Sequence, residues 1–158
     1  MMRTLLTLLA CAAPILAQEE APKLNPVNWA LSAPAAARPG ERIQPRLTAT
    51  IEEGWHLYSL KPLEGGPIAT KIAVPAPQQF KLVGQVDAPV PLTAHEESFG
   101  MSVEFYLGEV EFTLPLEVNR DAKPGPHKLT VTARYQACDN KQCLPPKTVT
   151  VESSVTVK

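Results

Sequence analysis

The chain lacks a charge imbalance, and this removes one class of partner. Fifteen basic residues stand against sixteen acidic ones, a formal net charge of −1 over 158 residues. Nothing in that balance favours binding to nucleic-acid phosphates, and no basic run suits an anionic membrane surface. After the first 17 residues no segment is apolar for long enough to cross a bilayer as a helix. Aromatics make up only 6%, and cysteines number three. Prolines, by contrast, number 17, which argues against long helices and for short strands joined by turns. The length suits one domain and a short leader.

The leader is read in residues 1–17. Arg3 gives it a positive start, Leu5 to Leu16 is almost wholly apolar, and Ala17 precedes the polar Gln18-Glu19-Glu20. This is the pattern of a secretory signal peptide. A lipoprotein box, Leu8-Leu9-Ala10-Cys11 with Cys11 lipidated, is the alternative, but it leaves an odd apolar start to the mature chain. Cleavage after Ala17 removes Arg3 and Cys11, leaving two cysteines in an exported, soluble, periplasmic protein. An even count in such a protein favours a pair over a stray thiol. Residues 18–26 read as a flexible lead-in, and residues 27–158 as the domain.

Within the domain, apolar residues recur with period two. Leu47, Ala49 and Ile51 share one face. Val110, Phe112, Leu114, Leu116 and Val118 share another, as do Leu129, Val131, Ala133 and Tyr135, then Val149, Val151, Val155 and Val157. Each run reads as a strand with one buried side. Pro115 puts its run at an edge or a bulge. Turn signals stand at Pro39-Gly40, Glu53-Gly54, Gly65-Gly66-Pro67, Gly100 and Lys123-Pro124-Gly125-Pro126. About seven or eight short strands of this spacing predict an all-β, immunoglobulin-like antiparallel β-sandwich.

Cys138 and Cys143 flank the turn-like Asp139-Asn140-Lys141-Gln142. They sit at facing ends of one hairpin, where opposed Cα atoms lie within disulfide reach. A structural staple is the plain reading. Against it, closing so small a loop removes only about 2 kcal/mol of unfolded-state entropy. A short-loop pair at a turn is also open to a partner thiolate, as exchange requires. Asp139 should oppose a thiolate at Cys138, while Lys141 and Lys147 should favour one at Cys143.

The stretch Tyr135-Gln136-Ala137-Cys138, then Cys143-Leu144-Pro145-Pro146, resembles the active-site hairpin of the N-terminal periplasmic domain of the thiol:disulfide interchange protein DsbD. Gly54-Trp55-His56-Leu57-Tyr58 is similar to that family's Gly-aromatic-aromatic-Leu-Tyr strand, and His95-Glu96-Glu97-Ser98-Phe99-Gly100 to its acidic cap loop. The resemblance covers roughly Asn25 to Lys158. It implies an immunoglobulin-like thiol:disulfide oxidoreductase that relays electrons, taking them from a membrane-embedded donor and passing them to thioredoxin-like periplasmic proteins. Cys143 would form the mixed disulfide and Cys138 resolve it. Phe99 would cap the pair, with Glu97, Tyr58 and His56 lining the site. The sequence departs from better-known members in four places. Four residues separate the cysteines instead of five, His56 replaces a tyrosine, Glu97 and Ser98 replace an acidic pair, and the cap loop is one residue shorter after Phe99. No membrane or thioredoxin-like domain follows, so the donor is expected to be a separate polypeptide.

Other readings attach to the same residues. His56 could accept a proton beside the pair, or be an ordinary solvent-facing strand residue. Glu96 and Glu97 could tune the thiols or be a solvated loop tip. Trp55 and Tyr58 could be core aromatics. Two thiolates with His56, His95 or Met101 could hold Cu(I), although the spacing fits no tight metal motif, and we expect no cofactor. A binding module with a structural disulfide is the remaining alternative. The protein is expected to be a monomer.

Overall fold

The computed structural model describes residues 25–158; the leader and most of the lead-in lie outside the described residues. The strands in chain order are β1 (Val27–Ser32), β2 (Ala36–Ala37), β3 (Arg42–Ile43), β4 (Arg46–Ile51), β5 (His56–Tyr58), β6 (Lys71–Ala73) and β7 (Phe80–Leu82). There follow β8 (Leu92–Glu96), β9 (Met101–Tyr106), β10 (Glu109–Thr113), β11 (Leu116–Val118), β12 (Gly125–Tyr135), β13 (Ala137–Cys138) and β14 (Lys147–Val157). No helix occurs among the described residues, and so none there is long and apolar enough to cross a membrane.

The pairing orders are β1-β4-β10, β3-β11-β7, β2-β14-β12-β6 and β13-β5-β9-β8. All neighbours are antiparallel except β2, which lies parallel to β14. The first two groups run on from each other. Both β3–β4 and β10–β11 break at a proline, and the Leu114 N–H donates to the Pro45 carbonyl at 2.9 Å across the break. The other two groups are joined through β12 and β13, which are separated only by Gln136. The result is an immunoglobulin-like sandwich.

The period-two runs point inward as their spacing predicts. Leu47, Ala49, Val110, Phe112, Leu114, Leu116 and Val118 come from one layer, and Leu129, Val131, Ala133 and Val155 from the other; all lie in one core cluster at 3% exposure or less. Burial of this kind is worth about 1.5–3 kcal/mol per large aliphatic side chain, and neither cysteine belongs to this cluster. Pro115 does end its strand. β10 is an edge strand, and beyond the proline the chain re-pairs as the middle strand β11. More strand segments form than the seven or eight expected, in part because breaks at Pro45, Pro115 and Gln136 divide long strands into short ones.

The β12–β14 hairpin runs eleven residues in register, from Gly125↔Val157 to Tyr135↔Lys147. This long ribbon delivers the cysteine turn to one end of the sandwich. β5 and the β8–β9 hairpin meet it there.

Candidate functional site

Past Gln136 the chain pairs with β5, which places Ala137 opposite Leu57 and Cys138 opposite His56. The polypeptide then turns back on itself. Cys138 and Cys143 form an isolated antiparallel bridge and are joined by a disulfide, with Cα atoms 4.1 Å apart. The turn is closed by local bonds. Asp139 N–H donates to the Gln142 carbonyl at 2.9 Å, and Leu144 N–H to the Ala137 carbonyl at 2.9 Å. Asp139 Oδ1 accepts the N–H groups of Lys141 and Gln142, each at 2.7 Å. Those two backbone donors hold the Asp139 carboxyl below its ordinary value.

The two cysteines differ in exposure. Cys138 is fully buried and Cys143 is exposed. Of the charged neighbours, Asp139 Oδ1 is turned into its own loop, and Lys147 Nζ donates to Asn25 Oδ1 at 2.8 Å.

Cys138 does not belong to the main core. With Tyr58 and Val103 it forms a second, small buried cluster, against which Phe99, Leu63, Met101 and Phe105 pack. The β8–β9 hairpin brings Phe99 there. Its register pairs Glu96 with Met101, leaving residues 97–100 as a tight loop closed by Phe99 and Gly100 N–H bonds to the Glu96 carbonyl at 3.2 and 2.9 Å. Gly100, at φ +63°, takes the left-handed turn position that residues with a Cβ resist. Phe99 meets Tyr58 edge-on, with centroids 6.4 Å apart.

A hydrogen-bonded chain runs beside the disulfide. Tyr58 Oη lies 3.0 Å from both carboxylate oxygens of Glu96 and 3.1 Å from His56 Nε2. Burial, then the Glu96 hydrogen bond and charge, drive the Tyr58 phenol well above its ordinary value, so it stays protonated. Burial lowers the pKa of His56, against upward pulls from Glu96 and Asp139. The His56 ring also packs on Phe105 at 5.4 Å. Between the cap hairpin and the cysteine turn lies a groove of about 540 Å³, lined by His56, His95, Glu96, Glu97, Phe105 and Asp139 among others.

The structure thus brings together Cys138, Cys143, Phe99, Tyr58 and His56. Glu97 lines the groove but is exposed, and it is Glu96 that bonds Tyr58. Spacing alone could not choose between adjacent glutamates; the strand register does, because Glu96 is the last paired residue of β8. The two aromatics of the Trp55–Tyr58 strand part company: Trp55 joins the main core and Tyr58 the small cluster. Among the described residues, no group of three or more His, Cys, Asp or Glu side chains is arranged to hold a metal ion.

An immunoglobulin-like sandwich that carries one short-loop disulfide, with one sulfur-bearing residue exposed and the other buried under aromatic side chains, defines a thiol–disulfide exchange domain. Residues 22–154 match the family described as thiol:disulfide interchange protein DsbD, N-terminal, and the chain belongs to that family. Among solved structures it is similar to the reduced N-terminal domain of DsbD from Neisseria meningitidis, at 20% identity and a TM-score of 0.50, over 77% of this chain and 82% of that one. It is also similar to the N-terminal periplasmic domain of ScsB from Proteus mirabilis, at 19% identity and a TM-score of 0.55. That match covers 85% of this chain and 48% of the ScsB chain. No curated protein matches the chain significantly.

Proposed function

We propose that the domain relays reducing equivalents in the periplasm, from a membrane-embedded donor to thioredoxin-like proteins, through the Cys138–Cys143 couple. The observation that carries the reading is the unequal exposure of two bonded cysteines. Exchange needs one sulfur that a partner can reach and a second that waits behind it.

In the reduced domain, the Cys143 thiolate attacks one sulfur of a partner disulfide. The partner's other sulfur leaves as a thiolate, and a mixed disulfide joins Cys143 to the partner. Cys138, as a thiolate, then attacks Cys143 Sγ. The Cys138–Cys143 bond forms, the bond to the partner breaks, and the partner departs with both sulfurs reduced. Two electrons have passed, and each released thiolate takes a proton. The donor recharges the domain by the reverse sequence. Phe99 is the shield over the pair between encounters, and it is displaced when a partner docks. Export by residues 1–17 puts the domain where oxidants abound and such a shield is useful.

The test is trapping. With Cys138→Ser, Cys143 should accumulate a covalent adduct with a thioredoxin-like partner that lacks its own resolving cysteine; with Cys143→Ser, little adduct should form. Equal trapping would remove the assignment of roles. An absence of adducts from both variants would favour a structural bridge in a binding module.

A further inference from the structure

His56 stands directly opposite Cys138 in the β5–β13 pair. Side chains so placed leave the sheet on the same face, with Cβ atoms about 4.5–5.5 Å apart. Tyr58, two residues along β5, shares that face and packs in the cluster with Cys138.

The hydrogen bonds fix the state of the imidazole. Tyr58 has one hydroxyl proton and two neighbours, Glu96 and His56 Nε2. A carboxylate can only accept, so the proton goes to Glu96, and His56 Nε2 must carry a proton and donate it to Tyr58 Oη. In the neutral ring this leaves Nδ1 as the basic nitrogen.

Cys138, for its part, needs a base. It is fully buried, and burial in apolar surroundings disfavours the thiolate that must attack Cys143. Of the carboxylates nearby, Glu96 already accepts from Tyr58, and Asp139 is held below its ordinary value by two N–H groups of its turn, which weakens it as a base. His56, directly opposite Cys138, is the imidazole among them, the side chain whose ordinary pKa lies nearest neutrality.

We propose that His56 takes the proton of Cys138 in the step that closes the disulfide, with Tyr58 and Glu96 holding the ring in its tautomer; this rests on the exchange reading above. The Cys138 S–H proton passes to His56 Nδ1, giving an imidazolium. The Cys138 thiolate displaces the partner sulfur from Cys143, and the departing thiolate collects a proton from the imidazolium or from water. The groups facing His56 suit this. Glu96 from β8 and Asp139 from the cysteine turn stabilise the imidazolium, Tyr58 on its own strand accepts from Nε2, and Phe105 from β9 is uncharged. His95 and Glu97 lie on the same groove wall. Burial keeps the resting ring neutral and ready to accept.

The chemically reduced protein is mixed with one equivalent of dithiobis(nitrobenzoic acid). The first release of thionitrobenzoate reports attack by Cys143, and the second reports resolution by Cys138. In His56→Gln, which keeps a donor for Tyr58 but has no base, the second phase should slow about tenfold or more near neutral pH, and recover where hydroxide itself ionises the thiol, above about pH 9. The first phase should be unchanged. A wild-type second phase in His56→Gln, slowing that is the same at every pH, or slowing confined to the first phase would each overturn the proposal. Imidazole ¹⁵N shifts of the wild-type protein give an independent reading: the Nε2–H tautomer is expected, and Nδ1–H would refute it even if the variant fails to fold. No biological partner is used, so a failure to trap one leaves this test intact.

Discussion

At the scale of single residues, His56 is decided by competition. Removal of water from the ring lowers its pKa, and the pulls of Glu96 and Asp139 do not restore it. The unfolded chain carries an ordinary imidazole, which titrates near about 6.5. As pH falls through that value the unfolded state binds its proton first, so stability contributed by neutral His56 is present above it and is lost below it. Thermal midpoints taken from pH 8 down to pH 5 should therefore fall, and His56→Gln should flatten part of that slope. A variant whose slope equals that of the wild type would show that the ring is as solvated in the fold as in the open chain. Tyr58 adds nothing in this range, since its phenol is pushed upward and stays protonated throughout.

At the scale of elements, two hairpins from distant parts of the chain converge on β5. One carries the sulfurs and the other carries Phe99. Phe99→Ala removes the ring that packs on the Tyr58–Val103–Cys138 cluster, and reaction of the reduced pair with iodoacetamide should then accelerate. Unchanged rates would mean that the short β8–β9 loop does not gate the site. These elements were unequally visible in the sequence. β4, β12 and β14 announce themselves because one side of each faces the core and the other does not. β8 is exposed at nearly every position, so it has no buried face to write into its residues, and only the family resemblance pointed to it. The cysteine hairpin was legible from its turn residues. The choice of Glu96 over Glu97, and the His56–Cys138 opposition, depend on pairing between segments far apart in sequence, which periodicity within one strand cannot record.

At the scale of the molecule, the disulfide has little to hold. The cysteines are five positions apart, and cross-linking so small a loop is worth about 2 kcal/mol. The main core, from Val27 to Val157, includes neither cysteine. Cys138→Ser with Cys143→Ser should therefore leave a cooperatively unfolding sandwich, weakened by about 2 kcal/mol or less in a denaturant melt. Loss of the cooperative transition would mean that the bridge is structural after all.

The split between a large core and a small satellite cluster also sets two clocks. In the exchange cycle proposed above, lifting Phe99 away would disturb only the satellite, and local openings of so few contacts recur far more often than unfolding of a whole domain. A partner in that cycle would wait only for the brief, frequent event, whereas the rare one, in which the strands separate and the buried sulfur is laid open to any oxidant, would run on a schedule of its own.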